Sequence, residues 1–575
     1  MTYTQLQLKS VRQIFSAIVL LTGIILTFNT PLLASNKTEA QNIHADENKE
    51  QPKIVNIVNF IRLLEPRDAN ITEKVLYETV VNQVNLMKKY HLKGSFLLQY
   101  DALMNKDYQE LLKGLPKDSF EIGAWWEIPQ PLVENAGMRW RGRYPWDWHA
   151  DVGFSTGYTP KERERLVDVY MNDFKEIFGY YPKSVASWFI DAHTLNYMYG
   201  KYHIEASANC KDQYGTDGYT LWGGYWNQAY YPSKVNSYMP AQNEKNQIPV
   251  PVFRMLGSDP IRQYDQGLGS ARQGVISLEP VYKDAGGDKN WVEWYFDQFT
   301  QGEAIEYAYT QAGQENSFTW DAMAKGLEMQ FPLIAELSDQ HKVKVETLAE
   351  SGKWFSENYK ITPATAVTVT KDLGGSDLKT VWYNSRFYRL NLLWEDETLR
   401  VRDIHLFDEN LVSDYLTGTA STNECKFFTL PFVDGYLWSK HGDLAGLRFK
   451  ALVDGKEVLL KGGDPVVTSP GKGKLDISWP LTNIDGMLQL SVNEKSLEMK
   501  LNSDHLINWY VDLTTAINKE LPFLSIDEKK ISCESQHIKY VVDVKKGSAS
   551  VADNTVFRIS AKNNAIKLVF TTQDR

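Results

Sequence analysis

Several common functional motifs are missing from this sequence. Its three cysteines, Cys210, Cys425 and Cys533, lie far apart, so the chain has no CxxC pair and no dense disulfide framework. No GxGxxG or GxxxxGK(S/T) motif follows a predicted strand, which leaves nucleotide binding without support. Because the formal net charge is −10 and Lys and Arg do not cluster, we expect no nucleic-acid partner.

The spacing of the histidines also excludes a common kind of metal site. None of the ten histidines forms a His-x-x-x-His pair, the spacing that places two imidazoles on one helix face as metal ligands. We therefore expect no metal and no other cofactor.

Aromatic residues, by contrast, are abundant. They make up 13% of the chain, with 17 Trp and 31 Tyr. Flat rings with a polar edge suit the C–H faces and hydroxyl groups of sugars, although a large aromatic core would give the same composition. Composition alone leaves both interpretations open.

The N-terminus has the order of regions found in a signal peptide. Lys9 and Arg12 precede an apolar run at residues 14–26, and Asn29, Pro31 and a small-residue site at 32–35 follow. A membrane anchor is the alternative, but the run is short for a span. We predict a signal peptide at 1–34, a polar, flexible leader at 35–52 and no membrane span in the mature chain. The protein is then exported to the periplasm, the cell surface or the medium.

The pattern from residue 54 onward alternates strands with amphipathic helices. Strands are predicted near residues 54–60, 95–100, 120–126, 184–190, 204–208, 250–256, 275–278, 304–310 and 342–348, with helices at about 72–90, 160–178 and 320–338. Such alternation implies parallel strands joined by crossover helices. The fold class is therefore α/β, an irregular (β/α)7–8 barrel over residues 53–362.

The pattern changes after Thr362 and Pro363. Short alternating strands then dominate, separated by turn signals such as the Asp-Gly pairs at 454–455 and 485–486. We predict an all-β, sandwich-like domain over residues 363–575.

Carboxylates recur at the predicted ends of barrel strands, where barrel enzymes carry their chemistry. Glycosidic bond cleavage needs one carboxyl group to protonate the leaving oxygen and a second to attack carbon or activate water. Each candidate also has a structural alternative, such as a helix cap for Asp191 or loop bracing for Glu315. The candidate catalytic residues are Asp191, Glu315, Glu127 and Glu279.

Other side chains near these strand ends are candidate sugar-binding groups. The loop at 217–227 combines Gly with Trp and Tyr, which favours a binding wall over a plain linker. The loop at 140–149 is similar, and Arg139, Arg141 and Arg143 add positive charge suited to an acidic sugar, a solvated turn being the alternative. The candidates are Arg62, Trp125, Trp126, Trp188, His193, Asp217, Trp222, Tyr225, Trp226, Asn227, Arg254 and Gln314.

Five segments carry a resemblance to a known superfamily: NFIR at 59–62, EIG at 121–123, WFID at 188–191, GQENSF at 313–318 and ESGKWF at 350–355. Over residues 54–360 the chain resembles the glycoside hydrolase/deacetylase superfamily of irregular seven-stranded β/α barrels. It looks most like an uncharacterised branch of secreted Bacteroidetes-type proteins with a C-terminal β domain. In the glycosidase members the nucleophile follows strand four and the acid/base follows strand seven. The resemblance thus implies Asp191 as nucleophile and Glu315 as acid/base.

The chain departs from the deacetylase members of that superfamily. Those have an Asp-Asp pair after strand one and a His-x-x-x-His pair after strand three, whereas this chain reads NFIR at 59–62 and AWWE at 124–127. We therefore favour a glycoside hydrolase acting on an oligosaccharide or polysaccharide. The alternatives are a non-catalytic glycan-binding barrel and a polysaccharide deacetylase-like hydrolase with an unusual site at Asp191 and His193.

The signal peptide is directly testable. Expressed in a Gram-negative host, the chain should be recovered outside the cytoplasm with a mature N-terminus next to Ala34, because the site at 32–35 has the small residues that signal peptidase requires. Intact-mass measurement and N-terminal sequencing would check this. A recovered protein that retains residues 1–34 in the membrane fraction would indicate an anchor instead.

Overall fold

The computed structural model describes residues 51–570. The predicted signal peptide at 1–34 and nearly all of the predicted leader at 35–52 lie outside the described residues. Within residues 51–570, no helix is long and apolar enough to cross a lipid bilayer.

The first half of the described chain is built on a parallel sheet. Its strands β1 to β3 are buried along nearly their whole length, as expected where helices cover a parallel sheet. The strands of this half are β1 (Lys53–Ile61), β2 (Gly94–Leu98), β3 (Phe120–Trp125), β4 (Ser184–Ala186), β5 (Ala206–Asn209), β6 (Gln213–Thr216), β7 (Tyr219–Trp222), β8 (Ala229–Tyr230), β9 (Val252–Arg254), β10 (Ala308–Ala312) and β11 (Lys344–Glu346).

The sheet curls into a nearly closed barrel. Its hydrogen-bonded order is β10-β1-β2-β3-β4-β5-β9-β8, and β11 also pairs with β1. Side chains complete the ring between β8 and β10. The Gln228 amide binds both the N–H and the C=O of Tyr309, at 3.0 and 3.3 Å, as a strand neighbour would. The Tyr307 hydroxyl likewise binds the N–H and C=O of Ala229.

The helices begin and end where local signals place them. Thr72 caps the first helix, and Thr159 with Glu162 forms a capping box at another, which ends at Gly179. These caps agree with the predicted helices at 72–90 and 160–178. The helices are α1 (Glu73–Lys89), α2 (Tyr100–Met104), α3 (Lys106–Lys113), α4 (Gln130–Asn135), α5 (Pro160–Phe178), α6 (Ala192–Tyr202), α7 (Lys289–Gln301), α8 (Trp320–Asp339) and α9 (Leu348–Asn358).

Two local predictions were wrong. Residues 275–278 form no strand, because the segment belongs to an irregular crossover in which Ser277 makes only an isolated bridge with Ser258. Its Leu278 is buried, so the apolar run fills the core without joining the sheet. The segment 217–227 was predicted to be a loop. It instead begins with the turn of a hairpin and continues as β7, which pairs with β6.

The second half of the described chain is antiparallel. Its two main sheets share one apolar core, in which Leu513 and Ile559 of one sheet join Leu475 and Leu490 of the other. The strands are β12 (Thr365–Val369), β13 (Lys379–Asn384), β14 (Tyr388–Glu395), β15 (Thr398–Leu406), β16 (Cys425–Phe428), β17 (Leu430–Asp434), β18 (Gly446–Val453), β19 (Lys456–Leu459), β20 (Val466–Gly471), β21 (Lys474–Pro480), β22 (Met487–Asn493), β23 (Ser496–Asn502), β24 (Asn508–Thr514), β25 (Phe523–Asp527), β26 (Lys530–Ser535), β27 (Ile538–Lys546), β28 (Ser548–Ser550), β29 (Phe557–Ser560) and β30 (Ala565–Val569).

These observations confirm the predicted fold class, an irregular barrel followed by a β-rich region. The boundary at residue 362 stays a prediction, although α9 ends at Asn358 and β12 begins at Thr365. The two regions also interlock, because β16 of the β-rich region pairs in parallel with β7 of the barrel region.

A buried ionic network joins the two regions. Asp212, just after β5, binds Arg254 of β9 at 2.7 Å and also pairs with Arg389 of β14. Arg389 in turn holds both oxygens of Asp403 on β15 at 2.8 Å. These four side chains are at most 1% exposed, so their charges depend on one another for compensation.

Removing the shared cation should destabilise the protein. Arg389→Met leaves Asp212 and Asp403 buried with less compensation, so we expect the free energy of unfolding to fall by about 3–5 kcal/mol. Urea denaturation would measure this. The control, Lys461→Met, removes an exposed pair with Glu397 and should change stability by at most about 1 kcal/mol. Equal effects of the two substitutions would contradict the role of the network.

Candidate active site

Arg62 is the centre of a buried cluster at the carboxyl ends of the barrel strands. Its Nε and Nη2 bind the two carboxylate oxygens of Glu127 at 2.8 and 2.7 Å, and its Nη1 pairs with Glu315. The three side chains are 2%, 0% and 5% exposed. One guanidinium therefore pairs with two carboxyl groups that are almost completely shielded from solvent.

The strand ends bring these groups together. Arg62 follows β1, Glu127 follows β3 and Glu315 follows β10. The turn after β10 needs Gly313, which has φ +100°, and a Cβ there would overlap the backbone of Val58. Asn316 then accepts from the backbone N–H of Arg62 and donates to its C=O, both at 2.9 Å, which fixes the loop against β1.

A third carboxyl group lies beside this cluster. Glu279 accepts from the Gln314 amide at 3.1 Å and from the Ser277 hydroxyl at 2.8 Å. The carbonyl oxygen of the same Gln314 amide accepts from the backbone N–H of Glu315 at 2.9 Å. The Gln314 amide therefore holds both the carboxylate of Glu279 and the backbone of Glu315.

Burial shifts the proton affinities of these groups. It raises the pKa of Glu315 to about 7, opposed by the positive charge of Arg62 and assisted by the negative charge of Glu127. Burial also raises the pKa of Glu279, opposed by the charge of Lys211 and by the hydrogen bonds from Gln314 and Ser277. A carboxyl group with a pKa near 7 keeps its proton in a substantial fraction of molecules at neutral pH.

Lys211 was missed by the sequence analysis. It follows β5, is fully buried and donates from Nζ to Gln213 at 3.1 Å. Burial lowers its pKa, while the charges of Cys210, Glu279 and Asp212 oppose that change. The pair Lys211-Asp212 at a strand end was a usable signal, because the rule that selected the strand-end glutamates applies equally to it.

A partly exposed layer covers the buried cluster. Arg67, also missed from the sequence, pairs with Glu65 at 2.7 Å. Asp217 is 42% exposed and lies 3.7 Å from both Arg67 and Arg272. The half-buried Tyr282 belongs to the same layer, since burial and then the charges of Glu279 and Glu315 raise its pKa. These side chains form the rim of the site.

Asp191 occupies a different and closed position. Its carboxylate caps α6 by accepting from the backbone N–H and the hydroxyl of Thr194, at 2.9 and 2.7 Å. It also accepts from Ser155 at 2.7 Å and from Arg163 at 2.9 Å. Both oxygens are fully committed and the side chain is 0% exposed.

The candidate binding residues on β3, β4 and α6 divide between core and surface. Trp125 and Trp126 are fully buried, and Trp125 stacks on Phe60 at 3.9 Å. Trp188 is half-buried and its ring is perpendicular to that of Trp125, with the ring centres 5.5 Å apart. His193 lies on the outer surface of α6 and pairs with Glu164 at 3.0 Å, away from the cluster.

The remaining candidates lie at the junction with the β-rich region. Trp222 donates to Asp434 at 2.9 Å, Trp226 stacks on Trp382 at 3.7 Å, and Tyr225 donates to the C=O of Pro363 at 2.7 Å. These contacts are those of packed interior groups. Asn227 and Arg254 are likewise buried, Asn227 against Ser258 and Arg254 in the ionic network with Asp212.

No group of three or more His, Cys, Asp or Glu side chains suited to a metal ion occurs between residues 51 and 570.

Comparison with known proteins places the fold. A family model for DUF3863, a domain of unknown function with a solved structure, matches residues 147–379, a range that includes Glu279 and Glu315. No curated protein matches the chain by sequence.

Solved structures give the clearest likeness. A protein from Parabacteroides distasonis, provisionally assigned as a glycoside hydrolase/deacetylase, aligns with a TM-score of 0.51 and 15% identity, over 66% of this chain and 91% of that one. A Mycobacterium smegmatis protein, provisionally assigned as a polysaccharide deacetylase, aligns at 0.33 and 12%, over 56% and 96%. The 4-alpha-glucanotransferase of Thermococcus litoralis aligns at 0.28 and 10%, over 91% and 100%. The first of these alignments shows that the chain shares the barrel fold of the Parabacteroides distasonis protein, which agrees with the fold that the sequence resemblance implied.

The raised pKa of Glu315 should make stability depend on pH. A carboxyl group with a raised folded-state pKa stabilises the fold below its unfolded value, here 4.5, and this contribution is lost as the pH rises through about 7. The free energy of unfolding of the wild type, minus that of Glu315→Gln, should fall across this window and level off above it. Urea titrations at several pH values would measure the difference. A difference that stays constant over the window would contradict the shift.

Proposed function

We propose that this protein is a glycoside hydrolase acting on a complex glycan, with Glu315 as the general acid and Glu279 as the second carboxylate. The supporting observation is the pKa of about 7 at Glu315, which burial causes in a cluster at the strand ends. Glycosidic cleavage needs a carboxyl group that is still protonated at the working pH, next to a second carboxylate.

Glu279 suits the second role better than Asp191, the residue implied by resemblance. A nucleophile or base needs an uncommitted lone pair, and each Asp191 oxygen already accepts two hydrogen bonds. Each Glu279 oxygen accepts only one side-chain hydrogen bond, and the charges of Glu279 and Glu315 both raise the pKa of Tyr282 at the rim of the site. We therefore assign Asp191 to capping α6.

Glu315 donates its proton to the glycosidic oxygen as the bond to the anomeric carbon breaks. In an inverting reaction Glu279 takes a proton from the water that attacks this carbon. In a retaining reaction Glu279 bonds to the carbon, and a water molecule that gives its proton to Glu315 then breaks that bond, so either route consumes one water molecule. Glu127 is a positioning residue here, since it holds Arg62 and its negative charge helps to keep Glu315 protonated.

Export completes the proposal. The predicted signal peptide at 1–34 would deliver the enzyme to the periplasm, the cell surface or the medium, where complex glycans are met.

Substitution of the two glutamates tests the assignment. On a panel of glycans assayed by release of reducing ends, Glu315→Gln and Glu279→Gln should each lower kcat by at least about 10²-fold, because one proton-transfer group is lost. The matched control is Glu121→Gln, a half-buried glutamate near the start of β3 that accepts from Ser95 and Ser184 at the other end of the barrel. It should retain wild-type turnover.

The pH profile gives a second readout. Activity that requires protonated Glu315 should decline as the pH rises through about 7, its folded-state pKa. Tight glycan binding without any product would replace the proposal with a non-catalytic binding protein. Release of acetate from acetylated glycans, abolished by a chelator, would replace it with a deacetylase.

A further inference from the structure

A series of stacked arginine and tryptophan side chains leads outward from the cluster. The Arg62 guanidinium lies 4.3 Å from the centre of the Trp146 ring. Arg67 lies 5.3 Å from Trp146 and 5.2 Å from Trp148, so it bridges the two rings. At these distances each guanidinium attracts the neighbouring ring through a cation–π interaction.

The series continues through the next turn of the same loop. Arg143 lies 4.7 Å from the Trp148 ring and 5.6 Å from the Tyr144 ring, and it pairs with Asp147 at 2.7 Å. Tyr144 stacks on Trp148 and is 41% exposed, so the series ends at the surface. We call this series the aromatic–arginine track; it consists of Arg62, Trp146, Arg67, Trp148, Arg143 and Tyr144.

A cavity of about 650 Å³ lies beside the outer end of the track. The indole N–H of Trp140 donates to the C=O of Tyr144 at 2.9 Å, which connects the cavity to the track. A Cβ at Gly142 would overlap the Trp140 ring, so the glycine lets the loop backbone pack directly on the indole and hold it flat. The cavity is lined by Met138, Arg139, Trp140, Arg141, Gly142, Tyr158 and Glu162.

The cavity lining carries two arginines against one carboxylate, so its net charge is positive. Arg139 is exposed and forms no ion pair within residues 51–570. Arg141 donates from Nη2 to the C=O groups of Asp151 and Gly157, at 2.9 and 2.7 Å, and lies over the ring of Tyr158. The carboxylate of Glu162 is engaged in capping α5, where it accepts from Thr159.

We propose that the cavity and the track form outer subsites that bind an acidic glycan, whose carboxylate or sulfate groups meet Arg139 and Arg141. This inference rests on the proposed function and adds the substrate class to it. Trp140 and Tyr144 supply flat platforms for sugar rings, and the two arginines supply anion-binding donors. The local charge is significant because the whole chain carries a net charge of −10, which by itself repels polyanions.

Binding assays in a catalytically silent background test the inference. Calorimetry on Glu315→Gln would compare three probes: tetragalacturonate, a sulfated chondroitin tetrasaccharide and neutral cellotetraose. At least one acidic probe should bind more tightly than the neutral one, and its affinity should fall with added salt. Adding Arg139→Gln should raise the Kd of that probe about fivefold, and Trp140→Ala about tenfold.

The control is Lys74→Gln, which removes an exposed positive charge on α1 and should leave the Kd unchanged. The acidic probe that binds identifies carboxylate or sulfate as the recognised group. Equal binding of all probes, or no response to Arg139→Gln and Trp140→Ala, would overturn the inference. Acidic binding that responds to both variants, in a wild type that cleaves no glycan, would leave the inference standing while the proposed catalysis fails.

Discussion

The candidate active site of this barrel depends on one buried guanidinium shared between two carboxyl groups. Arg62 binds both carboxylate oxygens of Glu127 through Nε and Nη2, whereas Glu315 pairs with Nη1 alone. A buried charge must be compensated or else neutralised, and Glu315, which competes with Glu127 for one cation, keeps a raised pKa. The same guanidinium joins the ends of β1, β3 and β10, while burial and the charge of Glu127 raise the pKa of Glu315 against its influence.

The β-rich region holds residues of the barrel that lie next to the candidate site. Through Arg389 it fixes Asp212, the neighbour of the buried Lys211 at the end of β5. It also holds Arg163 in place. The guanidinium of Arg163 donates to the C=O groups of Tyr415 and Gly418 as well as to the carboxylate of Asp191. The end of the barrel that carries the candidate chemistry is thus held in place by residues far along the chain.

The strand-end rule selected two members of the buried cluster from sequence, Glu127 and Glu315, because parallel strands bring their carboxyl ends to one rim. In the structure both contact Arg62, which the sequence offered as a candidate sugar-binding residue. The rule also selected Asp191, which caps α6 in the structure. Its remaining hydrogen-bonding capacity is taken up by Ser155 and Arg163. Ser155 and Arg163 lie far from Asp191 in the sequence, so no local sequence pattern predicts these contacts. The predicted strand at 275–278 was wrong for a similar reason, because a short apolar run has the same sequence pattern in a buried strand and in a buried crossover.

The sequence by itself determined most of the barrel strands, the bounds of α1 and α5 and the change to an antiparallel pattern after residue 362. These features depend on hydrogen-bonding and packing preferences among residues close together in the chain. Only the tertiary structure decided which carboxyl groups are buried together and which cation they share. Arg62 and Glu127 are 65 residues apart, and Arg62 and Asn316 are 254 residues apart. Desolvation and charge compensation arise from such distant contacts, so the shifted pKa of Glu315 becomes visible only in the folded chain.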